Sequence, residues 1–157
     1  MSTLIFTPGM MRAIQEGRKT QTRRALKYEI HKNVKFWITE DGWGNKWETH
    51  PRTFCYSAPF FPGQIRQATS GGDHVNIKIV RVWVERVQDI SSYDARAEGV
   101  YTSHCANSPG CGASDCSSCR PKHQIEDFQE LWDSIYSEKA PWSSNPWVWC
   151  CEFEVAK

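Results

Sequence analysis

The chain is expected to fold as an α+β domain built on a mostly antiparallel, curved sheet. Three observations predict this. Strand-like and helix-like patterns follow in the order strand, helix, several strands, helix, helix, strand, without regular alternation. From Val75 to Val87 the apolar alternation slips by one residue. Val75, Ile77 and Ile79 share one face, and Val80, Val82 and Val84 continue on the other, the mark of a bulge or bend in a barrel-like strand. The last segment alternates cleanly, with Trp147, Trp149, Cys151, Phe153 and Val155 inward and Glu152 and Glu154 outward.

Leu4 to Phe6 reads as a short strand. Thr7 followed by Pro8 is an N-cap with proline at the first helical position, where its missing N–H costs nothing. Met10, Met11, Ala13 and Ile14 give the helix an apolar face, and Gly17 ends it. Val34 to Thr39 alternates, Asp41-Gly42 makes a hairpin turn, and Trp43 to Thr49 returns. Pro51 to Gly63 reads as a loop, Ile65 to Ala68 as a short strand, and Ser70 to Asp73 as a turn. Ser91 or Ser92 caps a helix over Tyr93 to Glu98, stopped by Gly99. Residues 101–123 form a Cys-, Gly- and Ser-rich insertion. Ile125, Phe128, Leu131, Trp132, Ile135 and Tyr136 then trace one face of a third helix. Ala140 to Pro146 reads as a loop.

At 157 residues one domain, 1–157, is expected, with a sizeable core. Eight Trp and seven Phe put much of the burial onto large rings. No run approaches the roughly 18 apolar residues of a membrane span. No basic leader precedes an apolar core, so a cytoplasmic location is expected. Seven cysteines, an odd number, argue against a disulfide framework.

Charge is localised. Gly17-Arg18-Lys19-Thr20-Gln21-Thr22-Arg23-Arg24 packs four cations and two threonines into eight residues, while the whole chain carries a net charge of only +1. A basic island on a nearly neutral chain marks a local site rather than a general polyanion-binding surface. Cations at a helix C-terminus are favoured by the macrodipole, which accounts for Arg18 and Lys19 without any ligand. It does not account for Thr22, Arg23 and Arg24.

This octet after a short helix resembles the ASCH domain of the PUA-like β-barrel superfamily, most closely the ASCH proteins of bacteriophages and prophages. Cys55 to Gly63, Val87-Gln88-Asp89-Ile90-Ser91, Asp94 to Gly99 and Asn145-Pro146-Trp147-Val148-Trp149 carry the same resemblance. It implies a mixed, mostly antiparallel barrel with about three helices, and a cleft that recognises RNA or a modified base or nucleoside. One ASCH branch deacetylates acetylcytidine with a lysine, a threonine and a glutamate, which match Lys19, Thr22 and Glu98 here. Past Pro62-Gly63 the chain departs from the phage pattern. It reads Gln64-Ile65-Arg66-Gln67-Ala68-Thr69, retaining an arginine at Arg66 but lacking the carboxylate expected beside it.

Three readings follow. The first is binding of RNA or a modified nucleotide, with Arg18, Arg23, Arg24 and Arg66 as ligand-binding candidates, because guanidinium matches phosphate and base edges. Trp37, Trp43 and Trp47 are candidates for stacking a base, or for cross-strand packing. The second is an amidohydrolase acting on an N-acylated pyrimidine nucleoside. Thr22 would attack if a neutral Lys19 took its proton. Neighbouring arginines favour that neutrality, and an ion pair with Glu98 opposes it. The third is a phage-encoded protein that binds and inhibits a host protein. Separately, Cys105, Cys111, Cys116 and Cys119 have the spacing Cys-x5-Cys-x4-Cys-x2-Cys. Four thiolates suit a closed, structural zinc site, with His104 and His123 as substitutes; the alternative is a flexible loop with free thiols. Cys150 and Cys151 are expected in the core. His31, His50 and His74 are expected at the surface.

Overall fold

The computed structural model describes residues 3–26, 60–100 and 120–156. The N-cap offered at Thr7 is used: its side chain accepts from the Met10 amide at 3.3 Å, and Pro8 opens helix α1 (Pro8–Gln15). Met11, Ala13 and Ile14 are buried. Gly17 takes φ +72, the left-handed conformation that lets the chain leave the helix end. Two residues ahead of the cap, strand β1 (Leu4–Ile5) runs parallel to β3 (Ile65–Ser70), pairing Leu4 with Ala68 and Ile5 with Thr69. Strand β2 (Gln21–Ala25) follows α1 and contains the second half of the basic octet.

The slipped pattern in the middle of the chain forms one 14-residue strand, β4 (Asp73–Arg86). Ile79 pairs with Phe153 and Arg81 with Glu152, so Val80 is the extra residue of a bulge, and its side chain is exposed. Val82 is then buried on the face that Ile77 and Ile79 occupied before the slip. Strand β5 (Trp147–Val155) lies antiparallel between β4 and β2. The sheet order is β1-β3-β4-β5-β2. Its two edges approach each other, because Arg24 Nη2 on β2 donates to the Ile5 carbonyl on β1 at 2.8 Å.

Both faces of the sheet are covered. On one face Leu4, Phe6, Met11, Ile14, Ile77, Ile79, Val82, Cys151 and Phe153 pack together. On the other, Val87, Ile90, Ala95, Val148 and Cys150 pack against Phe128 and Trp132. This second core joins α2 (Ser92–Ala97) and α3 (Arg120–Tyr136) to the sheet. Ser91 caps α2, accepting from the Asp94 amide, and Gly99 follows it at φ +85.

Several expectations change. The inward set of β5 holds for Cys151 and Phe153, but Val148 and Cys150 are also fully buried, on the opposite face, and Val155 is exposed. Simple alternation fails because α2 and α3 cover the face assumed to be wet. Ile135, on the expected face of α3, is exposed. α3 begins at Arg120, so its first residues fall within the stretch 101–123 read as an insertion. Cys150 and Cys151 are in the core and His74 is exposed, as expected. The hairpin with Trp37, Trp43 and Trp47, residues 51–59 of the loop read over Pro51 to Gly63, His31, His50, His104, and Cys105, Cys111, Cys116 and Cys119 lie outside the described residues. Among the described residues, no helix is long and apolar enough to cross a membrane.

The bulge gives a direct test. Deleting Val80 removes only the extra residue and leaves Arg81 and Val82 opposite Glu152 and Cys151 on the faces they already hold. The deletion is therefore expected to lower Tm far less than deletion of Val82, which brings Arg81 to the buried face. Val80→Thr, at an exposed position, is expected to change stability by no more than about 0.5 kcal/mol. A Val80 deletion as damaging as the Val82 deletion would remove the bulge from the account.

Candidate functional site

Lys19 is brought to the end of α2 by backbone pairing. Residues 19 and 98 form an isolated antiparallel bridge, and the Thr20 amide donates to the Ala97 carbonyl at 2.8 Å. The Lys19 side chain is only 1% exposed. Its Nζ donates to Glu98 Oε2 at 2.6 Å and to the Glu98 carbonyl at 2.8 Å. Lys19 therefore caps the C-terminal end of α2, not of α1, a placement the macrodipole also favours. Glu98 is buried as well.

The other oxygen of Glu98 is taken by Arg23, whose Nη1 donates to Oε1 at 3.0 Å and to Gln21 Oε1 at 3.1 Å. Arg23 Nε donates to Glu85 Oε1 at 2.8 Å. Its Nη2 lies 2.8 Å from the same Glu85 oxygen and 3.8 Å from Asp94 Oδ2, poorly aligned for a hydrogen bond to either. Trp83 Nε1 donates to Glu85 Oε2, Gln21 Nε2 donates to Asp94 Oδ1, and the Ser91 hydroxyl donates to Asp94 Oδ2. The result is a network of two cations and three carboxylates on and beside β2, β4 and α2, buried at Lys19, Arg23 and Glu98 and half-buried at Glu85 and Asp94.

Protonation follows from this packing. Burial pushes Lys19 below the ordinary ammonium range; the charge and hydrogen bond of Glu98 oppose the shift, and Arg24 and Arg23 assist it. Burial pulls Arg23 down, but Glu98, Cys150 and Glu85 outweigh that and leave it above its usual value. Asp94 is partly desolvated, yet hydrogen bonds from Ser91 and Gln21 and the charge of Arg23 bring it below the usual carboxylate value. Burial pushes the Cys151 thiol up to about 12 and raises Cys150 as well, so neither is a nucleophile near neutral pH.

Lys19, Thr22, Arg23, Arg24 and Glu98 line one hollow of about 30 Å³. Its other wall is apolar, formed by Met10 and by Phe128, Leu131, Trp132, Ile135 and Tyr136 of α3. This volume holds about two water molecules. It falls far short of the roughly 300 Å³ of a pocket that encloses a drug-sized ligand.

Of the residues singled out in the sequence, Lys19, Thr22, Glu98, Arg23 and Arg24 come together here. Arg18 does not: it is exposed and paired with Glu16. Arg66 lies on β3, paired in register with Ile77, and is not among the residues lining the hollow. Arg24 is half-buried, holding the Ile5 carbonyl with its guanidinium 5.3 Å from the Phe6 ring centre. Sequence reasoning missed Gln21, Glu85 and Asp94. A signal existed for Glu85, the one carboxylate between Val75 and Val87, two residues from Trp83. Among the described residues, no cluster of three His, Cys, Asp or Glu side chains is arranged to hold a metal.

No family model matches the chain, and no curated protein matches it. Among solved structures, protein EF3133 from Enterococcus faecalis, described by the family model DUF984, is similar with a TM-score of 0.54 at 16% identity. That likeness covers 99% of this chain and 77% of the other. An ASCH domain from Lactobacillus crispatus aligns with a TM-score of 0.42 at 15% identity, covering 92% of this chain and 68% of the other. The likeness to the Enterococcus protein is one of fold alone.

Gly99 packs under the site. A Cβ there would lie 3.0 Å from Lys19 Cβ, on a backbone at φ +85. Gly99→Ala is therefore expected to cost about 1–3 kcal/mol and to separate Lys19 from Glu98. Urea unfolding measures the first effect, and the Lys19 Nζ resonance in a lysine-labelled sample measures the second. A variant as stable as the parent, with an unmoved Lys19 signal, would contradict this packing.

Proposed function

We propose that this chain is an ASCH-type, PUA-like domain that recognises a modified base, as a nucleoside or within RNA, at the hollow around Lys19, Thr22, Arg24 and Glu98. The observation behind this reading is the meeting of a buried ion pair, a threonine and an apolar helix face at one opening. Lys19 and Glu98 supply a donor and an acceptor held in fixed positions. A hollow of about 30 Å³ admits a small exocyclic substituent and not a ring. The ring lies across the mouth, against the partly exposed Leu131, Ile135 and Tyr136 of α3. Buried polar groups left unpaired by the wrong ligand would make such a site selective. The resemblance of the octet to ASCH domains supports the reading, and so does the fold likeness to the Enterococcus protein.

The electrostatics favour a base over a phosphate backbone. Arg18, Lys19 and Arg23 each face a carboxylate within this chain, so their charges are largely compensated before any ligand arrives. Arg24, which holds a carbonyl, is the octet cation best placed to meet a ligand.

A second reading, hydrolysis of an N-acyl group, is favoured by one specific observation. Lys19 is buried and shifted toward its neutral form, and Thr22 lines the same hollow. The Thr22 hydroxyl would attack the acyl carbonyl as neutral Lys19 takes its proton. Collapse of the tetrahedral adduct would break the C–N bond as the amine leaves with that proton. Water would then release the acid from acyl-Thr22, restoring the hydroxyl.

For binding, acetylcytidine at about 1 mM is expected to shift amide resonances of residues 19–24 and Gly99 in the full chain. Lys19→Ala should abolish the shifts, and affinity should change little with salt. The absence of shifts would sink the base-recognition reading, and a steep salt dependence would move the contact to the phosphate backbone. For hydrolysis, acetate release is expected to fall by about 100-fold or more in Lys19→Ala and Thr22→Ala. Because the neutral amine is the base, the rate should rise with pH through the lowered lysine pKa. Binding without acetate release leaves the first reading standing alone.

A further inference from the structure

We infer that Arg23 is a positioning residue of this site: it holds Glu98 Oε1 so that Oε2 and the Glu98 carbonyl form a fixed two-point cradle for Lys19. This deepens the reading of the hollow given above and rests on it for its functional meaning, though not for its test.

The geometry divides one carboxylate between two cations. Arg23 Nη1 sits 3.0 Å from Oε1, and Lys19 Nζ sits 2.6 Å from Oε2. A carboxylate held at one oxygen only can rotate about its last side-chain bond. Held at both, it has one orientation. Lys19 Nζ then has two of its three positions directed to Glu98 atoms, leaving one for the hollow that it lines.

Arg23 is itself fixed from behind. Its Nε is held by Glu85, which also accepts from Trp83 Nε1, and its Nη1 is shared with Gln21, which Asp94 holds in turn. β2, β4 and α2 thus converge on one guanidinium that is 4% exposed. A lysine at this position would keep the charge but lose the planar fork that reaches Glu85 and Glu98 together. Arg23 lines the hollow, but its bonded nitrogens are directed to protein acceptors. Its role is to act through Glu98.

The test reads Lys19 without any ligand. In the full chain labelled with 15N-lysine, the Nζ signal of Lys19, assigned through Lys19→Arg, is followed against pH. The charged or titratable groups that act on it are Glu98 from the end of α2, Arg23 and Arg24 from β2, and Cys151 from β5. In Arg23→Gln, Lys19 gains the sole claim on Glu98 and loses a neighbouring positive charge, so its titration is expected to move upward. In Arg23→Lys the charge stays and the fork is lost, so Glu98 is free to turn, the cradle loosens and the titration is expected to lie below that of the parent. A titration in Arg23→Lys at or above that of the parent overturns the inference, because charge alone would then suffice. An amide spectrum checks the fold of each variant, and if Arg23→Gln does not fold, Arg23→Lys alone decides. Acetylcytidine enters only afterwards, as a binding probe, so its failure to bind would count against the functional reading and not against the role of Arg23.

Discussion

Everything around the hollow depends on one carboxylate shared by two cations away from water. Removing an ion from water costs several kcal/mol even after relaxation, and a pair recovers this only with good geometry and its remaining valences filled. Glu98 meets that condition by dividing its oxygens between Lys19 and Arg23. Glu85 and Gln21, the latter held by Asp94, leave Arg23 almost no freedom. A network of this kind fixes the relation of α2 to β2 more sharply than apolar contacts do, because any sliding would strand a charge. The pairing of Arg18, Lys19 and Arg23 explains why an octet with four cations presents little unpaired positive charge.

Much of the frame was legible in the chain itself. Thr7-Pro8, Ser91 and Gly99 act locally, through caps and a left-handed φ, and local chemistry needs no knowledge of what packs where. The slip at Val80 was visible because a bulge changes the phase of a pattern. The second core was not visible. Val148 and Cys150 are buried only because α2 and α3 lie over them, a long-range fact that alternation in β5 cannot carry. Val155 and Ile135 were misjudged for the complementary reason: an apolar residue at the end of an element is buried only if something covers it.

The site shows the same division. Lys19, Thr22 and Glu98 were found through the octet and its resemblance, and they meet at one hollow. The roles of their neighbours came only from tertiary placement. Arg18 and Arg23 look alike in sequence, one residue on either side of the Lys19 to Thr22 stretch. Yet Arg18 lies in water beside Glu16, while Arg23 is enclosed by three carboxylates. Strand alternation in β2 also separates Arg23 from Thr22, since Arg23 shares a face with Cys150 and Thr22 one with Cys151. A basic cluster read as one surface is therefore two: a buried half that organises the carboxylates, and a peripheral half open to solvent or ligand.

The contact between Arg24 and the Ile5 carbonyl has a kinetic consequence. Neighbouring strands held by a ladder of amide bonds part only by local unfolding, on microseconds or longer. Across the rim between β2 and β1, by contrast, the Arg24 guanidinium donates to the Ile5 carbonyl, and among the described residues no strand ladder joins the two. A contact of that kind lets go by side-chain rotation, which is orders of magnitude faster. Loss of this contact therefore breaks no strand pairing of the sheet.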